Sequence, residues 1–492
     1  MWSFIISLIV LVMGYFVYGS FVDKVFGPDP SKPTPAVAKQ DGVDFIPMPT
    51  WKVFMIQFLN IAGTGPIFGA IMGAKFGPSC YLWIVFGCIF AGAVHDYMSG
   101  MLSIRSGGLS VPNMVGKILG KGSMHVMLVM SIVLLLLVGT VFVYSPALIL
   151  GDIAGDGTSQ SVMFWVFVVF TYYVIATLQP VDKIIGHIYP LFAFALLFMA
   201  VGLMVCLFIK WPAIPELWDG LQNRGPSIGM DDQDIFPCLF ITVACGALSG
   251  FHSTQSPIMA RCLKNEKMGR PVFYGAMITE GIVALVWAAV SSYFYFDGGA
   301  AAVGSDLTAA APAVVTKVSS NWLGMFGGIL AVLGVVAAPI TSGDTAFRSA
   351  RLIIADSIHL DQVKNVNRII IAVPFFLISV LLLWFNISNE DGFNIIWRYF
   401  GWANQSLATI ALWAIAVYLM TRKKGAYYLI AMIPAAFMTV VVISYICMAK
   451  IGFHISYNVS IIIGVAVALL QTVIFARARH IIRKKGRVDL LA

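Results

Sequence analysis

Charge is what this sequence lacks. Asp, Glu, Lys and Arg make up 11% of its 492 residues, against about 25% in an ordinary soluble domain. Hydrophobic residues make up 59%, and the mean hydropathy is +0.89. That balance excludes a water-soluble fold and predicts a polytopic membrane protein. No connection between apolar runs is long enough for a soluble domain, which argues against a membrane sensor with an output module. No GxxxxGK[ST] string occurs, so an ATPase is excluded. An intramembrane enzyme is not expected either, since it would need a nucleophile–base or metal motif of the GxSxG or HExxH kind.

Metal signals are equally thin. The 7 Cys (Cys80, Cys88, Cys206, Cys238, Cys245, Cys262, Cys447) lie mostly in apolar runs without paired metal-ligand spacing. They read as small core residues. His95, Asp96 and His252 fall in no short metal-ligand motif, so neither a metal nor a cofactor is expected. The net charge of +8 comes largely from loops beside the membrane and is not a nucleic-acid signal.

What is present is a series of apolar runs of the length a bilayer needs. They lie at roughly 2–19, 51–74, 78–100, 123–150, 161–180, 184–208, 236–260, 270–296, 322–343, 368–388, 393–420, 427–448 and 455–478. The fold expected is all-α, with about 13 transmembrane helices. A short helix is expected at Leu307–Val318. Lys and Arg set the orientation. With Arg477 to Arg487 (RARHIIRKKGR) inside, roughly 25 of the 31 basic residues fall on the cytoplasmic side. Among them are Lys183, Arg348, Arg351, Lys423 and Lys424. This places the N-terminus out and the C-terminus in.

Two of the runs are poor continuous helices. Phe58 to Met72 holds Gly63-Thr64-Gly65-Pro66 at its middle. An interior Gly costs about 1 kcal/mol relative to Ala and an interior Pro about 3. The run at 236–260 holds Gly250-Phe251-His252-Ser253-Thr254-Gln255-Ser256-Pro257 at its centre. Unwound backbone at mid-membrane is tolerated where it lines a cavity or packs on protein, and a pair of such breaks points to a transporter's binding site. Five runs span 51–208 and five more 236–420, so the second unit is inverted relative to the first. An N-terminal helix (1–22), two C-terminal helices (427–478) and a basic tail (479–492) lie outside the repeat. The extra helices are expected to shield the core from lipid or to form a homo-oligomer contact.

Four segments together carry a family resemblance. They are Asn60-Ile61-Ala62-Gly63-Thr64-Gly65-Pro66-Ile67, Trp83-Ile84-Val85-Phe86-Gly87, Gly92-Ala93-Val94-His95-Asp96-Tyr97 and Ser103-Ile104-Arg105-Ser106-Gly107-Gly108-Leu109-Ser110. The chain resembles the carbon starvation protein family, CstA, over most of its length. The resemblance implies a bacterial inner-membrane transporter with a LeuT-like 5+5 inverted repeat, importing peptides or pyruvate.

Site candidates follow from the breaks. Free N–H groups of a half-helix attract a carboxylate. Substrate contacts are expected from Asn60, Gly63, Thr64, Gly65, His252, Ser253, Thr254 and Gln255, with half-helices starting near Thr64-Gly65-Pro66 and Ser256-Pro257. Thr341 and Ser342, at a helix break expected beside Pro339, resemble the sodium-site helix of LeuT-like symporters; alternatively they bond back to their own helix. Asp344 binds a cation, carries a proton or pairs with Arg348 four residues on. His95 and Asp96 relay protons or anchor a helix end at the interface. Glu280, mid-span, must be neutral, paired or facing water. Ion coupling by protons is the first expectation and by sodium the second, with a channel as the rival class.

Overall fold

The computed structural model describes residues 1–42, 44–154, 158–178, 185–229, 233–360, 362, 364–389, 391–422 and 425–485. Lys183, Lys423, Lys424 and the tail from 486 onward therefore lie outside the described residues. Those described contain 11 helices long and apolar enough to cross a membrane, or 12 when one bent pair is taken as a single span. The expectation of about 13 differs by the run at 236–260. It forms two short helices, Ile235–Thr242 and Gly250–Ala260, neither of which is of spanning length.

Burial sorts the spans. In Ser79–Arg105, Glu266–Phe296 and Gly392–Arg422, 83% of the most apolar window is buried inside the protein. In Trp2–Phe26 and Tyr457–Ile482 the figures are 28% and 22%. The first three are core helices. The last two expose Trp2, Phe16, Leu469 and Leu470, side chains that suit lipid rather than water.

The two broken helices sit at the centre. Thr50–Ile61 and Gly65–Ala74 meet at 47° across residues 62–64. Pro66 stands at the start of its half-helix, where its missing N–H is no loss. The second break lies at residues 243–249 rather than at the expected Gly250–Pro257. Pro257 is inside a helix, three residues before its end. Pro257 cannot donate to Ser253 O four residues back, and the neighbouring carbonyl, Thr254 O, accepts from Ser349 Oγ at 3.1 Å, the kind of side-chain support that lets proline persist in membrane helices. The unwound stretch is the small-residue run Val243-Ala244-Cys245-Gly246-Ala247-Leu248-Ser249.

Packing around the breaks is reciprocal. Gly65–Ala74 lies against Gly275–Phe296, and Gly250–Ala260 lies against Ala93–Arg105. Each second half-helix thus packs on the second span of the other unit. Both of those spans carry π-helical turns close to their starts, Trp83–Gly92 and Arg270–Tyr274. Such turns are rare and gather at functional sites.

One helix is longer than expected. The run at 322–343 belongs to Ala311–Ile358, which is broken only at Gly324 (φ 68°) and includes much of the short helix expected at 307–318. Pro339 lies inside it, so Thr341 and Ser342 are not at a break. Arg348 and Arg351 are not in a loop either: both are buried. Arg348 Nη2 donates to Ala176 O at 2.9 Å, and Arg351 Nη1 donates to the Gln362 side chain. These bonds let the helix carry two guanidinium groups into the protein.

Candidate functional site

Four ionisable side chains that the sequence spreads over 186 positions, from His95 to Glu280, meet in the core. Asp96 is the fourth residue after the π-turns of its span. One of its carboxylate oxygens lies 2.8 Å from His95 Nδ1 and the other 2.8 Å from His252 Nδ1. A carboxylate can only accept, so each Nδ1 donates and each Nε2 is left as the free ring position. His252 Nε2 is 3.4 Å from Glu280 Oε2. All four side chains have no solvent exposure. The order His95–Asp96–His252–Glu280 crosses from the first unit to the second through the second half-helix. Asp96 is therefore not the interfacial anchor considered above.

Local structure explains the placement. His252 is the third residue of Gly250–Ala260, whose start is fixed from outside. Asn404 Oδ1 accepts from Phe251 N at 2.7 Å and Ser249 Oγ at 3.1 Å, satisfying one of the donors that a helix start leaves open. Gln405 Nε2 donates to Phe240 O and Trp83 Nε1 to Val243 O, both at 2.8 Å. The carbonyl end of Ile235–Thr242 is capped in this way.

The two breaks touch. A Cβ placed on Gly65 would fall 2.3 Å from Cys245 Sγ, and one on Gly246 would fall 3.7 Å from Pro66 Cα. The first break also meets the long helix: Ser342 Oγ donates to Leu59 O at 3.0 Å, and a Cβ on Gly63 would fall 3.2 Å from Ser342 Oγ.

The expected substrate residues divide into two groups. Asn60 and Thr64 are buried, and their side-chain polar atoms make no hydrogen bond among the described residues. They sit at the unwound backbone between the two half-helices. Ser253 and Thr254 instead donate back to Gly250 O and Phe251 O, each at 2.7 Å. Gln255 Nε2 donates to Thr254 Oγ1 and Ser349 Oγ, leaving its Oε1 without a partner. The half-helix start expected near Ser256-Pro257 lies at Gly250. Thr341 Oγ1 is engaged with Ala338 O at 2.8 Å and Ala337 O at 3.0 Å, the back-bonded alternative. Asp344 Oδ2 accepts from Tyr189 at 2.7 Å.

Clefts open at both ends of the bundle. A cleft of about 170 Å³ is lined by Lys75, Gln233, Thr242, Asn394, Arg398 and Tyr445 among others. It adjoins a second of about 450 Å³ that shares Gln233, Arg398 and Tyr445 and adds Lys450. Its charged lining is cationic. At the Arg105 end of the bundle, Lys117, Lys121, Asp356 and His359 line a cleft of about 690 Å³.

Sequence reasoning missed Cys245 and the caps on the second break. The signal was the run of small residues at 243–249, outshone by Pro257. It also missed one GxSxG string, Gly225-Pro226-Ser227-Ile228-Gly229. That string forms a 3₁₀ turn in which Ser227 Oγ donates to Arg224 O, not the strand-to-helix elbow of a hydrolase.

In fold the chain is similar to a solved manganese transporter of Eremococcus coleocola. The TM-score is 0.57 at 11% identity, over 91% of this chain and 99% of that one. Fold and spans together define an all-helical, multi-pass membrane protein. A family model described as "Carbon starvation protein CstA" matches residues 1–163, 152–324 and 316–445. The chain belongs to that family. An uncharacterized membrane protein of Haemophilus influenzae is 46% identical over 59% of this chain and 91% of its own length. The peptide transporter CstA of Escherichia coli is 25% identical over 89% of this chain and 80% of its own. The pyruvate/proton symporter BtsT of Escherichia coli is 28% identical over 58% of this chain and 48% of its own.

Proposed function

We propose that the protein imports small carboxylate nutrients, peptides or pyruvate, across the bacterial inner membrane by proton-coupled alternating access. The observation that carries this reading is the buried chain His95–Asp96–His252–Glu280. Two carboxylates and two imidazoles at zero exposure cannot keep the charges they would hold in water without partners. Protons moving along the chain settle that balance, and the chain joins helices of both units. A change in its protonation therefore acts on both sides of the interface that must rock. The reciprocal packing of the half-helices supports an inverted repeat of 51–208 and 236–420, with the N-terminus out. In this reading the substrate carboxylate enters past Lys75 and Arg398 and meets Asn60, Thr64 and the half-helix starts. The relative that couples pyruvate to protons supports the same choice of ion.

Purified protein in sodium-free liposomes under an inward proton gradient tests this. Labelled pyruvate or a labelled dipeptide should accumulate, and a protonophore should abolish the accumulation. Asp96→Asn, which keeps the shape of the side chain but supplies one acceptor where two rings need one each, should abolish uptake while the protein still melts cooperatively. Uptake that needs sodium and ignores the proton gradient would replace this reading with a sodium symporter. The contact of Ser342 with Leu59 O would then become the place to look.

A further inference from the structure

Cys245, His252 and Glu280 bring one possible metal-ligating atom each close together in the core. Cys245 Sγ, a ring nitrogen of His252 and a carboxylate oxygen of Glu280 all lie within 4.8 Å of one another. None of the three residues is more than 1% exposed. Neither His252 Nε2 nor either oxygen of Glu280 makes a hydrogen bond among the described residues. Cys245 Sγ has long contacts to Ser249 Oγ at 3.5 Å and Asn404 Nδ2 at 3.6 Å, whereas a buried imidazole nitrogen and a buried carboxyl group left without partners are costly for a protein to keep.

A metal ion resolves it. Around tetrahedral zinc, bonds of about 2.0–2.1 Å to nitrogen and oxygen hold those ligands about 3.3 Å apart, and a bond of about 2.3 Å puts sulfur about 3.6 Å from each. His252 Nε2 and Glu280 Oε2 are already 3.4 Å apart. The ring is also oriented as a metal ligand. Its Nδ1 donates to Asp96 at 2.8 Å, which fixes the tautomer with Nε2 free, the carboxylate–histidine support found behind metal-binding imidazoles. His95, bonded to the other oxygen of Asp96, holds that carboxylate in turn.

We propose that Cys245, His252 and Glu280 form a three-ligand site for a thiophilic divalent transition-metal ion, zinc by preference, with the fourth position open. Thiolate, imidazole and carboxylate are a ligand set that suits zinc and disfavours magnesium or calcium. Sequence reasoning expected no metal because the ligands share no short motif. The second break lies between Cys245 and His252, and Glu280 comes from a different span. On binding, the thiol and any protonated carboxyl group give up their protons to water as the sulfur–metal and oxygen–metal bonds form. The ion then occupies the step between His252 and Glu280, so it blocks proton-coupled uptake. That consequence rests on the function proposed above, whereas the binding itself does not.

Cobalt(II), a coloured substitute for zinc, tests the site in the purified full-length protein in detergent under reducing conditions. The wild type should develop a thiolate-to-cobalt charge-transfer band and the visible bands of a tetrahedral ion, saturating at one equivalent and bleached by zinc. Cys245→Ser should lose the charge-transfer band, and Cys206→Ser, away from the cluster, should keep it. Glu280→Gln should weaken cobalt binding at least tenfold. Asp96→Asn should weaken it by about 10–100-fold, the usual effect of removing a carboxylate behind a metal-bound imidazole. Absence of the charge-transfer band in the wild type, or its persistence in Cys245→Ser, overturns the proposal whatever transport shows. Zinc binding without inhibition of uptake would instead keep the site and count against the proton path.

Discussion

Gly65→Ala puts the contact between the two breaks to a quantitative test. The added Cβ would lie 2.3 Å from Cys245 Sγ and 2.4 Å from Cys245 Cβ. Non-bonded carbons and sulfurs sit comfortably about 3.5–4.0 Å apart, so the two unwound segments must separate by more than about 1 Å. Overpacking of this kind in a tight interior costs about 1–3 kcal/mol. The remedy is equally specific. Cys245→Gly removes both clashing atoms, and the next atom in line, Cys245 Cα, is at an ordinary 3.8 Å. A double-mutant cycle on the apparent unfolding free energy of the purified protein should therefore show coupling of about 1–3 kcal/mol. Gly65→Ala alone should be destabilised, Cys245→Gly should lose its own smaller packing contribution, and the double variant should be no worse than Cys245→Gly. Uptake of labelled substrate should follow the same order. Strictly additive costs would refute the reasoning, because they would mean that the two breaks do not touch.

Two further outcomes follow from named contacts. Asn404→Ala leaves the buried Phe251 N–H without its acceptor. It should cost about 1–3 kcal/mol in thermal unfolding and impair uptake, with Asn404→Asp recovering part of both; unchanged stability would remove Asn404 as the cap. Arg398→Gln takes a cation from the cleft shared by the two vestibule chambers. It should raise the KM for a carboxylate substrate several-fold with little change in kcat, and should flatten the dependence of uptake on ionic strength. An unchanged KM would show that the substrate does not enter that way.

Much of the fold is legible in the sequence because a bilayer imposes a length on every apolar run. The outer helices stand out through composition alone, since Trp2–Phe26 and Tyr457–Ile482 face lipid with little to hide. The first break is legible because Gly63, Gly65 and Pro66 make a continuous helix costly there, although a glycine-lined packing notch between helices would read the same way. The second break is misplaced for an instructive reason. Pro257 is the loudest local signal at 250–257, yet neighbouring Ser349 satisfies a carbonyl there, while Val243–Ser249 unwinds because Asn404, Gln405 and Trp83 cap its ends. Those partners come from distant spans, and no local pattern announces them. The same holds for the long helix beyond residue 343, where buried bonds of Arg348 and Arg351 overrule the habit of ending a span at the first arginine. His95, Asp96, His252 and Glu280 are individually conspicuous as ionisable residues in apolar runs. That they form one chain is a property of how two spans and a half-helix cross.

The π-helical turns at Trp83–Gly92 and Arg270–Tyr274 have a consequence for how the carboxylates are aimed. Asp96 and Glu280 are the fourth and sixth residues of the α-helices that follow them. An α-helix advances about 100° and 1.5 Å per residue. Taking up one surplus residue on relaxing to α geometry would swing either carboxylate by that angle, away from His252. The aim of both acids is thus written in the number of residues upstream of them rather than in their identity. Evolution can exchange Ile84, Val85 or Val272 for other apolar residues and keep the alignment, but it cannot add or delete one there without turning an acid to face the wrong helix.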